Sequence, residues 1–138
     1  MNTRILCAYD GSAAAEKAFD YAVALSKAFG GELKVVSVAQ PPEPPEDVET
    51  EAILESAKEH FEKGFEALAR KAEAAQARAS FEVAVGHPAE QILYQAEAFG
   101  ADHIVIGHRG KSFVERWLVG SVSKRVVAYA GCNVTVVR

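Results

Sequence analysis

The chain has 138 residues, 49% hydrophobic and 25% charged, which excludes disordered, collagen-like and disulfide-framework classes and is enough for one domain with a real core. A net charge of −4 argues against broad affinity for nucleic acid or an anionic membrane surface. No apolar stretch has the length of a membrane span, and Met1-Asn2-Thr3-Arg4-Ile5 runs into a strand pattern without a signal-peptide core, so a cytoplasmic protein is expected.

Arg4 to Tyr9 reads as a short buried strand. Asp10-Gly11-Ser12 breaks it, and Ser12 can cap the next helix. Ala14 to Phe29 carries apolar residues at helical spacing (Ala18, Tyr21, Ala22, Leu25, Phe29), and Gly30-Gly31 stops it. Leu33 to Val38 forms the second strand. Pro41-Pro42-Glu43-Pro44-Pro45 predicts a stiff loop, because proline has no N–H to donate. From about Asp47 to about Ala77, the residues Leu54, Ala57, Phe61, Phe65, Leu68, Ala72 and Ala75 fall three or four apart. They make one apolar stripe on a long helix whose other faces are charged and solvated. Phe81 to Val85 alternates as the third strand. Pro88 suits the first turn of a helix whose buried face is Ala89, Ile92, Leu93, Ala96 and Phe99. Ala101-Asp102-His103 leads into the fourth strand, Ile104-Val105-Ile106. Val122 to Ala130 is the last helix, ended by Gly131, and Asn133 to Val137 is the fifth strand. Strict alternation of strand and helix predicts an α/β fold with a parallel sheet, helices on both faces and right-handed crossovers. No repeat, linker or second domain interrupts the pattern.

Gly107-His108-Arg109-Gly110-Lys111, followed by Gly120-Ser121-Val122-Ser123, joins the fourth strand to the last helix. This is the composition of a phosphate-binding loop. Glycine lets the backbone approach a phosphate and takes positive φ values that present successive N–H groups to an anion. The helix start adds unpaired N–H groups and the positive end of its dipole, and Ser121 and Ser123 add hydroxyls. Arg109, Lys111, Arg116, Lys124 and Arg125 surround one acid, Glu115, whereas residues 43–66 are strongly acidic. A local basic patch on an acidic chain suits a small anionic ligand. In parallel sheets ligands bind beyond the carboxyl ends of the strands, where Asp10, Val38 and Gly107 fall. Each residue also has a plainer reading. Asp10 can stabilise an Asp-Gly turn, Gly107 and Gly110 can serve loop geometry, Ser121 can be a helix cap, and Arg109 and Lys111 can be solvated charges. Phe113 and Trp117, in the spacer between the glycines, are expected to anchor it to the body; the alternative is part of a partner surface. Cys7 and Cys132 have neither metal nor redox spacing and read as packing residues of a reducing compartment. His60, His87 and His103 are scattered, without metal-ligand spacing.

The pattern Gly107-x2-Gly110-x9-Gly120-Ser121, in its strand–loop–helix context, resembles the ATP-binding signature of the universal stress protein family. Asp10-Gly11-Ser12, Gly86-His87-Pro88-Ala89 with Ile92, and Ala101 to Gly107 resemble other segments of that family, so the likeness spans nearly the whole chain. The resemblance implies a single Rossmann-like domain over residues 1–138. It would be a three-layer sandwich of the adenine nucleotide alpha hydrolase-like type with strand order 3-2-1-4-5. It implies that Asp10 contacts the nucleoside end of ATP and that Val38 walls the adenine pocket. Gly107, Arg109 and Gly110 would surround ribose and phosphates, and Gly120, Ser121, Val122 and Ser123 would receive the phosphates. Magnesium or manganese would ride on the phosphates, and two chains would pair through the last strand, covering an exposed edge. Two positions depart from the family pattern: His108 stands where many relatives carry a small hydroxyl residue, and Cys132-Asn133-Val134 replaces Cys-Pro-Val.

The function expected on this basis is ATP-dependent regulation in a stress response. The alternative is a slow ATPase or an autophosphorylating enzyme using Ser121 or Ser123. Fast phosphoryl transfer needs a placed base and metal-holding acids, yet Glu115 is the only acid between Gly107 and Arg125, and no Walker sequence is present. The sequence therefore favours binding over turnover and assigns no catalytic residue. His108 has no nucleophile near it in sequence. A phosphoreceiver domain is excluded by the single acid ending strand one and by Gly86-His87 after strand three. A flavodoxin-like site is disfavoured by the lack of a hydroxyl-rich loop after strand one.

Overall fold

A computed structural model describes residues 3–42, 47–109 and 120–138. The elements in chain order are β1 (Arg4–Ala8), α1 (Ala13–Phe29), β2 (Glu32–Ala39), α2 (Asp47–Ala74), β3 (Arg78–Val85), α3 (Pro88–Phe99), β4 (His103–Gly107), α4 (Ser121–Tyr129) and β5 (Asn133–Val137). All pairings are parallel and the sheet order is β3-β2-β1-β4-β5. This is the predicted α/β architecture and the predicted strand order.

The alternation of β1 divides the core. Ile5, Cys7 and Tyr9 face α1 and α2, where they meet Ala18, Phe19, Ala22, Phe65 and Leu68. Leu6 and Ala8 face α3 and α4, against Ile92, Ala96, Ile104, Ile106 and Val126. The central strands are therefore apolar on both faces, as a sheet covered on both sides requires. The edge strands are not: β3 alternates between half-buried and exposed residues, and β5 is half-buried along most of its length.

Three helices end in the same device. After α1, Gly30 donates to Lys27 O and Gly31 to Ser26 O; after α3, Gly100 donates to Glu97 O and Ala101 to Ala96 O. Gly30 and Gly100 take left-handed φ values of 64° and 70°. The end of α2 repeats the pattern, with Gln76 donating to Glu73 O and Ala77 to Ala72 O, but there the left-handed residue is Gln76 at φ 58°. The helix thus stops at Ala74, short of the expected Ala77, and β3 starts at Arg78 rather than Phe81. A glutamine at that position carries none of the stop signal that glycine does. The expected role of Gly131 is also corrected. Ala130 ends α4 in extended geometry (φ −65°, ψ 138°), and Gly131 is not left-handed.

At 28 residues, α2 is about 42 Å long, against about 26 Å for the eight residues of β2. Its apolar stripe is accordingly buried only at Phe65, Leu68 and Ala72, while Leu54 and Ala57 are half-buried. The helix starts where β2 ends, so its first turns stand beyond the carboxyl edge of the sheet.

Candidate functional site

At that edge β1, β2 and β4 stop around a cavity of about 220 Å³. Ala8, Val36, Val38, Ile92 and Ile106 make its apolar walls, Asp10 and Arg109 supply charge, and Gly120 to Ser123 close one end. Of the residues singled out in the sequence, Asp10, Val38, Gly107, Arg109, Gly120, Ser121, Val122 and Ser123 all line this one space. Gly110, Lys111, Phe113, Glu115, Arg116 and Trp117 lie outside the described residues.

Asp10 leaves β1 half-buried. Its Oδ1 accepts from Ser12 N at 2.9 Å, and Ser12 Oγ caps α1 by accepting from Ala15 N at 3.1 Å. The turn role of Asp10 is therefore real, and Asp10 also lines the cavity.

Gly107 and Gly120 are glycines for space, not for a left-handed backbone. Neither has a positive φ, and Gly120 sits at −65°. A Cβ on Gly107 would lie 2.9 Å from the carbonyl carbon and Cβ of Ala14, so only glycine lets α1 pack on the end of β4. A Cβ on Gly120 would lie 3.2 Å from His108 O. The expected reliance on positive φ is thus corrected at both positions.

Gly120 caps α4 in extended geometry, and Lys124 N makes the first helical bond, to Gly120 O at 2.9 Å. Helix geometry leaves the N–H groups of Ser121, Val122 and Ser123 without intrahelical partners. No acid stands in this first turn, so no side chain within it offsets the positive end of the helix dipole. Ser121 is exposed. Ser123 is buried, and its hydroxyl lies 3.0 Å from both His108 O and Gly120 O. That hydroxyl ties the start of α4 to the end of β4. Ser123 lines the cavity.

Tyr9 and Pro88 are among the lining residues that sequence reasoning missed, beside Ala8, Ala15, Val36, Ile92 and Ile106. Tyr9 donates its hydroxyl to Glu16 Oε1 at 2.5 Å, and burial together with that carboxylate raises the phenol well above its ordinary pKa. Glu16 and Asp20 flank Lys71, at 3.7 and 2.6 Å, and chiefly Asp20 raises the lysine's pKa. Pro88 and Ile92 lie four residues apart on α3, a spacing that puts both on one face and could have marked them. Cys7 is fully buried and its thiol is pushed far up, chiefly by desolvation, as a packing residue's should be. Among the described residues, no cluster of three or more His, Cys, Asp or Glu side chains could hold a metal, and no helix is long and apolar enough to cross a membrane.

The sequence profile of the universal stress protein family matches residues 1–138. The chain is 34% identical over 138 residues to a universal stress protein of Methanocaldococcus jannaschii, covering 98% of this chain and 81% of that one. It is 37% identical over 135 residues to one from Thermus aquaticus, covering 97% of both. Its fold superposes on the universal stress protein UspA of Lactobacillus plantarum with a TM-score of 0.91 at 28% identity, over 99% and 97% of the two chains. More distant structures share the fold alone. One is a universal stress protein in complex with cAMP (22% identity, TM-score 0.69, 99% and 97% covered); the other, from Archaeoglobus fulgidus, is in complex with dAMP (18%, 0.68, 100% and 98%). Profile, relatives and fold agree over nearly the whole chain: the chain belongs to the universal stress protein family.

Proposed function

We propose that the chain binds ATP in the cavity at the carboxyl edge of the sheet and acts as a small nucleotide-dependent regulator in the stress response. The observation that carries this reading is one space that is apolar along Ala8, Val36, Val38 and Ile92 and ends on the acid-free first turn of α4. The base would lie against the apolar walls and the ribose near Asp10. The phosphates would take the N–H groups of Ser121 to Ser123, the Ser121 hydroxyl and Arg109. That two proteins of this fold hold cAMP and dAMP is in keeping with an adenine ligand. Magnesium or manganese would be carried on the phosphates. Residues 1–138 would act as one cytoplasmic domain and pair as a homodimer through β5, which has one unpaired edge in the sheet order.

Binding is favoured over turnover. Asp10 is the only carboxylate among the described residues that line the cavity, too few for metal-assisted hydrolysis with a positioned water. If a phosphoryl group were transferred to the protein, the exposed Ser121 is the hydroxyl to expect, since Ser123 is buried and bonded. Calorimetric titration of nucleotide-free protein with ATP and magnesium, beside ADP, AMP and GTP, tests the reading. Saturable micromolar binding that prefers ATP is expected; no heat with any nucleotide would refute it.

A further inference from the structure

We infer that His108 is a positioning residue: it holds the Arg109 guanidinium at the phosphate end of the cavity and references it to the last residue of β5. This rests on the nucleotide reading of the site and adds to it a role for a side chain that departs from the family pattern.

The backbone of His108 is pinned on both sides. Its N–H donates to Val137 O at 2.8 Å, and its carbonyl accepts from Gly120 N at 2.6 Å and from Ser123 Oγ at 3.0 Å. From this fixed point the ring meets two partners. Nδ1 lies 3.3 Å from Val137 O, and Arg109 Nε donates to Nε2 at 2.9 Å. A carbonyl oxygen only accepts, and an arginine in a protein only donates. One neutral tautomer satisfies both contacts, with the proton on Nδ1 and the lone pair on Nε2. The other tautomer satisfies neither.

The consequence falls on Arg109. Its bond to the ring uses Nε, the inner guanidinium nitrogen, and so sets the plane of the head group in the cavity wall. A free arginine gives up much rotamer entropy when it binds a phosphate. One already held in place gives up less, which strengthens binding without any new contact to the ligand. Because Val137 closes β5, the aim of Arg109 also depends on where the C-terminal strand lies.

Three variants and one spectrum test this. His108→Phe removes both ring contacts, whereas His108→Gln keeps an acceptor where Nε2 stands. ATP affinity is expected to fall about three- to tenfold in His108→Phe, with adenosine affinity unchanged and ATP affinity largely rescued in His108→Gln. In an Arg109→Ala background, His108→Phe should cost nothing further. Equal losses on ATP and adenosine, or full additivity with Arg109→Ala, would overturn the proposal. The nitrogen spectrum of the ligand-free protein, with the His108 ring assigned by its disappearance in His108→Gln, decides the clamp separately. A bare Nε2 and protonated Nδ1 are expected, and a protonated Nε2 overturns the clamp even if nucleotides bind. Should wild type bind no nucleotide, the site reading fails and the role of His108 toward phosphates fails with it; the tautomer then tells whether the arginine is nonetheless held.

Discussion

Two residues make sharp predictions because each has one dominant physical reason for being what it is. Gly107 has no room for a side chain, so Gly107→Ala must push α1 off the end of β4. Overpacking of this kind costs about 1–3 kcal/mol, read as a lower denaturant midpoint with an unchanged slope; a midpoint equal to wild type would contradict the close approach. His103 is pushed below the ordinary imidazole value by burial, and its Nε2 lies 2.6 Å from Thr135 Oγ1. The folded state therefore resists a proton that the unfolded chain accepts. Stability should rise with pH from the lowered folded-state value up to the ordinary 6.5, then level off as far as this group is concerned. Unfolding of wild type and His103→Gln across that window checks it. The variant should lose less stability on acidification, and parallel curves would contradict the assignment.

The long helix α2 shows how an element can satisfy its sequence pattern only in part. Its stripe runs its full length, yet the sheet beneath covers only the second half. On the stripe Leu68 is buried and Leu54 only half-buried, and Ile53, beside the stripe, is 46% exposed. Leu68→Ala is expected to cost about 2–5 kcal/mol, and Ile53→Ala to stay within about 0.5 kcal/mol, by thermal or denaturant unfolding. Comparable losses would mean that the first turns pack on something. At the carboxyl end of β1, Ser12 caps α1 through Ala15 N. Ser12→Ala should cost about 0.5–2 kcal/mol, read as a lower denaturant midpoint; a midpoint equal to wild type would contradict the cap. The start of α4 differs again, since its cap is a glycine and its first-turn N–H groups face the cavity. Ser121→Ala should leave stability within about 0.5 kcal/mol while weakening ATP up to about tenfold, the worth of one hydrogen bond.

Across the molecule, what was legible in the sequence is what local pattern determines. The central strands are unbroken apolar runs, α1 and α3 end at glycines, and the glycine loop follows a strand end, so the layers, the strand count and the gathering of Asp10, Val38, Gly107 and Gly120 at one edge could be read. Contacts that depend on closure of the sheet could not. The link from His108 to Val137 spans 29 residues and exists only because β4 and β5 pair in register. The bond from Ser123 to His108 O joins α4 to the end of β4 across a segment of chain that no local pattern marks. The left-handed Gln76 was hidden because its side chain does not advertise its backbone. Backbone amide shifts of the labelled protein, followed as ATP and magnesium are added, locate the nucleotide. Shifts clustered at Asp10, Val38, Arg109 and Gly120 to Ser123 are predicted. Shifts clustered instead along the shallow groove of Ala52, Ser56, His60 and Phe61 on α2, or no shifts at saturating nucleotide, would contradict it.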